Sequence, residues 1–248
     1  MKRFILPLSL VLVAMSFTVI KKAPSFTPVV LVELFTSQGC SSCPSAERLL
    51  NKTLEESKKT GKPVLALSFH VDYWNRLGWN DPFSDKQFSD RQKMYANQFG
   101  LNSVYTPQAV VNGQQEFVGS DEQKLRSSIK TSLTENAIAG FKTINAEILK
   151  DHSAKVTYTL EGDYSGCNIN VALVSLSENT AVKRGENSGA MLTGKNIVRQ
   201  FISKAATAQG EASFNVSPSP MESNRGLVAF IQNRRDGKIA GAVMLNNF

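Results

Sequence analysis

The sequence predicts an α/β N-terminal half followed by a mainly β, sandwich-like C-terminal half. Between Val29 and Ala139, short runs of branched and aromatic residues alternate with stretches of helical period, the pattern of strands and helices in one layered unit. After about Gly140 the helical period stops and two-residue alternation begins. Val156, Tyr158 and Leu160 against Lys155, Thr157 and Thr159 read as a strand with one wet face. The length, 248 residues, suits two domains of roughly 100–150 residues each. The expected units are therefore 29–139 and 140–248.

The first half opens on a buried strand, Val29 to Phe35. Pro44 to Lys59 reads as a helix because Ala46, Leu49, Leu50 and Leu54 fall near one face, and Gly61-Lys62-Pro63 stops it. A second buried strand runs from Val64 to Val71. Asp72 to Asn102 is a long polar, aromatic-rich insertion with helix expected over Ser84 to Phe99. Thr106-Pro107 leads into the strand Gln108 to Val111 and a turn at Asn112-Gly113. Leu125, Ile129 and Leu133 mark a further helix within Asp121 to Asn136. In the second half, strands are expected at Ile144–Leu149, Lys155–Leu160, Asn168–Leu176, Glu211–Val216, Leu227–Gln232 and Ile239–Leu245. Asp236-Gly237 supplies the hairpin signal between the last two.

Residues 1–20 read as an export signal. Lys2 and Arg3 supply the charged start, Phe4 to Val13 the apolar stretch, and Ala14-Met15-Ser16 the small-x-small cleavage site. Pro7, Ser9, Ser16 and Thr18 interrupt what a permanent anchor needs, about 20 apolar residues. Residues 21–28 form a linker. The expected location is periplasmic or extracellular, with membrane contact only through this segment if it stays uncleaved. A composition of 42% hydrophobic and 20% charged residues excludes a disordered chain. The net charge of +7 is scattered, without the basic stripe that nucleic-acid binding requires.

The strongest chemical signal is Cys40-Ser41-Ser42-Cys43, placed between the first strand and the Pro44 helix. Thiols at a helix N-terminus face unpaired backbone N–H groups and the positive end of the helix dipole, which favour thiolate. Cys40, the first and usually more exposed cysteine of such a pair, is the expected attacking thiolate and Cys43 the resolving thiol. The third cysteine, Cys167, reads as unpaired.

Phe35-Thr36-Ser37-Gln38-Gly39-Cys40-Ser41-Ser42-Cys43 resembles the strand–loop–CxxC–helix start of glutaredoxin-type thioredoxin folds. Tyr105-Thr106-Pro107 resembles the cis-proline loop that faces the CxxC there. The whole mature chain is more narrowly similar to a secreted thioredoxin-like family, the domain of unknown function 1223. Glu33 to Pro44, Phe69-His70-Val71-Asp72-Tyr73-Trp74 and Arg184-Gly185-Glu186-Asn187 carry that likeness. The resemblance implies a thioredoxin-like N-terminal domain and a Thr106-Pro107 loop that pairs with an extended protein substrate. It implies no established reaction.

The CxxC itself admits three readings: a redox pair, a structural disulfide, or part of a metal site. Metal would need further ligands from His70, His152 and Cys167, at irregular spacing, and no metal is assigned. His70, at the end of the second strand, is an auxiliary candidate as base, ligand or loop-orienting residue. Glu33 is a weaker one, a charge inside an apolar strand, where a buried, paired acid is the preferred reading. Trp74 and Trp79, in the insertion, either line a substrate groove or pack the insertion on the sheet. Arg184 to Gly189 reads as a polar loop. Two functions remain open. One is an exported thiol–disulfide oxidoreductase acting on protein thiols or a redox partner protein, with no dissociable cofactor. The other is a binding module for a partner or copper, holding a structural disulfide.

Overall fold

The computed structural model describes residues 26–151, 153–216, 224–246 and 248. The expected export signal at 1–20, residues 21–25 of the linker and His152 lie outside them.

The first half forms β1 (Val30–Thr36), α1 (Cys43–Thr60), β2 (Val64–His70), a 3-10 helix (Asp72–Leu77), α2 (Lys86–Phe99), β3 (Gln108–Val111), β4 (Gln115–Val118) and α3 (Glu122–Ser132). The local chemistry is plain. Asp85 and Asp121 cap α2 and α3 by accepting from Gln87 N and Lys124 N, and left-handed Gly61 and Gly100 end α1 and α2. The second half is β5 (Ala139–Ile148), β6 (Ser153–Gly162), β7 (Cys167–Ala181), β8 (Met191–Ala205), β9 (Gln209–Asn215), β10 (Arg225–Asn233) and β11 (Ile239–Asn246).

These strands do not sort into the expected thioredoxin-like α/β domain and a separate β-rich domain. Strands hold 47% of the described residues and helices 23%, so the described part of the protein is mostly β. One mixed eight-stranded sheet runs through both halves in the order β11-β10-β7-β8-β2-β1-β3-β4. The join is the parallel pairing of β2 with β8 at Ser68 and Ile197. Sequence reading missed β8 because Thr193-Gly194-Lys195-Asn196 and Arg199-Gln200 interrupt its apolar alternation. A register shift where β7 passes Leu173/Val174 breaks the period further. It also missed the short edge strand β4.

One face of the large sheet carries a core that crosses the join. Leu31, Phe35, Leu67 and Phe69 from the first half pack with Ala172, Val174, Val198, Phe201, Val228 and Phe230 from the second, under Phe88 and Tyr95 of α2. The other face is shared. α1 and α3 cover Val30, Val32, Leu34 and Ala66, while the small sheet β5-β6-β9 covers Ile169, Val171, Leu173, Leu227 and Ala229.

Glu33 points into the shared core. Arg91 of α2 donates to it through Nε (2.5 Å) and Nη2 (2.9 Å), and the same Nη2 reaches Tyr95 and Gln232 of β10. The guanidinium lies 4.9–5.6 Å from the ring centroids of Phe69, Tyr95, Phe201 and Phe230. Glu33 is thus a structural acid facing α2. Arg91→Ala, which leaves Glu33 buried and unpaired, is expected to cost about 3–5 kcal/mol of stability. Glu33→Leu combined with Arg91→Met should cost far less, and urea denaturation of the single and double variants makes the comparison.

Candidate functional site

Cys40 and Cys43 form a disulfide with Cα atoms 5.4 Å apart. The turn after β1 is fixed by its own backbone. Ser37 Oγ accepts from Gly39 N, Cys40 N donates to Ser37 O, and Cys43 N donates to Cys40 O as α1 begins. Ser42 Oγ lies 3.4 Å from Cys40 Sγ, placed to donate to that sulfur as a thiolate. Cys40, the expected exposed nucleophile, is 0% exposed and Cys43 1%; only Ser41 and Ser42 of the motif face solvent.

The insertion supplies one wall. Asp81 Oδ2 accepts from Gln38 N at 2.8 Å and lies 2.8 Å from His70 Nδ1, while its Oδ1 accepts from Phe83 N. One carboxylate therefore ties the CxxC loop, the end of β2 and the insertion together. Trp79 Nε1 donates to Gln38 Oε1. Trp74 Nε1 donates to Thr106 Oγ1 at 2.8 Å, and a Cβ on Gly39 would lie 3.5 Å from the Trp74 Cβ. Trp74 thus stands between the CxxC loop and the Thr106–Pro107 peptide, which is cis. Pro107 approaches α1 through Gly119, where a Cβ would clash with Leu34 and crowd both Ala46 and Pro107.

Beside Cys43 lies a cavity of about 180 Å³, lined by His70, Glu47, Asn51 and Ile197 among others. An ionised Asp81 can only accept, which puts the His70 proton on Nδ1 and leaves Nε2 toward Glu47, 3.9 Å away. Neither His70 Nε2, Glu47 Oε1 nor Asn51 Oδ1 has a hydrogen-bond partner. Burial pushes the Glu47 carboxyl above its ordinary range, against the pull of His70. Burial opposes charge on His70 too, but Asp81 and Glu47 outweigh it and raise its pKa. Burial likewise works against the Asp81 anion, and His70 more than compensates, so that carboxyl is lowered.

The remaining wall comes from the C-terminal half, which sequence reasoning left outside the site. Asn187 Nδ2, in the loop between β7 and β8, donates to Gln38 O and Cys40 O, both at 2.8 Å. Glu186 Oε2 accepts from Ser41 N at 2.8 Å. Glu186 and Asn187 were visible as part of a polar loop and of the family likeness, while Asp81 and Glu47 carried no signal of their own. Of the sequence candidates, the fold gathers Cys40, Cys43, His70, Trp74, Thr106 and Pro107 in one region. It sends Glu33 to Arg91 instead. Cys167 is buried at the start of β7, while the loop that meets the CxxC follows the other end of that 15-residue strand, roughly 45 Å away along an extended chain. Among the described residues, no group of three or more His, Cys, Asp or Glu side chains is arranged to hold a metal ion.

These features define a disulfide-bearing protein with a CxxC at a helix start, enclosed by elements from both ends of one mixed sheet. The chain belongs to the family described as protein of unknown function (DUF1223), whose model matches residues 31–232. It is similar to a protein from Agrobacterium tumefaciens solved by X-ray crystallography, with 27% identity over 88% of this chain and 94% of that one, at a TM-score of 0.67. A domain of the outer membrane lipoprotein Omp28 from Porphyromonas gingivalis aligns with 44% of this chain and 94% of its own, at 17% identity and a TM-score of only 0.29. No curated protein matches the chain.

The His70 environment has a pH signature. A raised folded pKa means that its stabilisation is complete below the unfolded value of about 6.5 and is lost as pH rises through the folded value. Denaturant unfolding of the wild type at pH 6 and pH 8.5 should show that loss. In His70→Asn, which keeps a donor for Asp81 but does not titrate, the loss should shrink. Equal losses in both proteins would contradict the assignment.

Proposed function

We propose that the protein carries out thiol–disulfide exchange on protein thiols through Cys40 and Cys43. The observation that carries this reading is a disulfide spanning only three positions in sequence, at the amide end of an 18-residue helix and beside the Ser42 hydroxyl. Closing so short a loop removes little unfolded-state entropy, about 2 kcal/mol against about 3 for a 15-residue loop. As a staple the bond does little for a segment that β1 and α1 already hold. The same position is chemically favourable for a leaving or attacking thiolate.

In this reading a substrate thiolate attacks Cys40 Sγ. The Cys40–Cys43 bond breaks and Cys43 leaves as a thiolate at the α1 N-terminus. A second substrate thiolate then attacks the substrate sulfur of the mixed disulfide and expels Cys40 as a thiolate. Two electrons pass to the cysteine pair, and a partner disulfide takes them back. The sequence runs equally in reverse, with a partner dithiol resetting the pair. Trp74, Thr106 and Pro107 form the side toward which an extended substrate is drawn. Export through residues 1–20 to an oxidising compartment belongs to the same proposal.

Burial of both cysteines favours a second reading, a binding module whose disulfide is structural. Reduction potential separates the two. Equilibration of the purified protein in glutathione buffers should give a value between about −270 and −120 mV, with Cys40→Ser abolishing exchange. A pair still oxidised below about −300 mV would leave the binding module standing.

A further inference from the structure

The loop that meets the CxxC is a built element. β10 pairs with β7 from Cys167 to Ser175, so the rest of the β7–β8 hairpin projects past that edge. Its pairing continues to Ala181 and Met191. The tip is closed by Val182 N to Ala190 O, Gly189 N to Val182 O and Ala190 N to Asn187 O. Gly185, at φ +77°, allows it to lie against Trp79, whose Cβ would be 3.2 Å from any Cβ placed there. The tip thus arrives as a preformed shape and makes three bonds with the CxxC loop: Asn187 Nδ2 to Gln38 O and Cys40 O, and Ser41 N to Glu186.

Those three partners are backbone groups. Two carbonyls and one amide of the CxxC turn are main-chain groups of the kind an incoming polypeptide pairs with. The tip takes them while both cysteines are buried. Its own residues are largely exposed, so little apolar surface holds it down. Apolar side chains flank the place: Leu77 is 50% exposed next to Gly185, and Met191 is 67% exposed at the cavity beside Cys43.

We propose that Glu186 and Asn187 form an internal pseudo-substrate. They occupy the edge Gln38–Cys40–Ser41, and a thiol-bearing polypeptide in extended conformation docks there by displacing them. The partner presents N–H groups to Gln38 O and Cys40 O, and a carbonyl or carboxylate to Ser41 N. Exchange by such a partner rests on the oxidoreductase reading; the latch itself does not.

The test is the rate at which excess dithiothreitol reduces the disulfide, followed by the fluorescence of Trp74 and Trp79. Glu186→Ala with Asn187→Ala removes all three bonds and should speed reduction about tenfold or more, given what such bonds contribute. Asn187→Asp keeps the tip's length and shape but cannot donate, so its acceleration would not reflect unfolding. A synthetic peptide of residues 182–190 should slow the double variant toward the wild-type rate. Equal rates in the wild type and both variants would overturn the latch, whatever the pair's potential. A faster variant on which the peptide has no effect would overturn the pseudo-substrate role. Acceleration with peptide rescue, in a protein whose disulfide glutathione cannot reduce, would support the docking edge and remove the oxidoreductase reading alone.

Discussion

A buried ion pair organises this molecule. Glu33 sits in the middle of β1, 1% exposed, and an unpaired charge there would cost more than one strand's packing returns. Arg91 answers it from α2 with two donors, and the same guanidinium lies among rings from β2, α2, β8 and β10. A planar, permanently charged group suits this place, because it can bond at its edge and stack on its face. The consequence is positional. With α2 pinned, Gln92 on the same helix reaches Tyr105 O and Gln108, holding the Thr106–Pro107 loop. Ser89 bonds Asp72 at the start of the 3-10 helix, holding the segment that carries Trp74.

The sheet does the rest. Parallel pairing of β2 with β8 places a strand of the second half beside the strand that ends in His70. Ser68 Oγ donates to Lys195 O across that junction, and Asn51 of α1 reaches Thr193 O. Once β8 lies there, the β7–β8 hairpin has one direction in which to extend, over the start of α1. Enclosure of the CxxC by Glu186 and Asn187 therefore follows from topology. The local sequence of the CxxC does not dictate it.

Much of the first half was legible because its signals are local. Ala46, Leu49 and Leu50 fix the buried face of α1, and Gly61 ends it as read. β1, β2 and β3 fall within a residue or so of expectation. The CxxC at the helix start and the Thr106–Pro107 turn were equally local. What stayed hidden depends on distant partners. β8 is polar at Lys195 and Arg199, which reach Glu55 of α1 and the Phe83 ring, and at Thr193, whose hydroxyl donates to Asn179 of β7, and none of these neighbours is readable from its own residues. Missing that strand separated the halves and made a thioredoxin-like domain plus a β domain the natural expectation. Glu33 was recognisable as an oddity, but its cation stands 58 positions away. Cys40 was expected at the surface because its cover comes from a loop 147 positions further on.

The most direct test of this account is whether both halves unfold together. Trp74 and Trp79 report on the first half, and the buried thiol of Cys167 reports on the second through its reactivity toward a thiol-labelling reagent. The two can be followed through one urea titration of the oxidised protein. A core and a sheet shared across the β2–β8 junction predict coincident transitions with a single midpoint. Labelling of Cys167 at a midpoint clearly separated from the tryptophan transition would contradict it, and would mean that the eight strands do not act as one sheet.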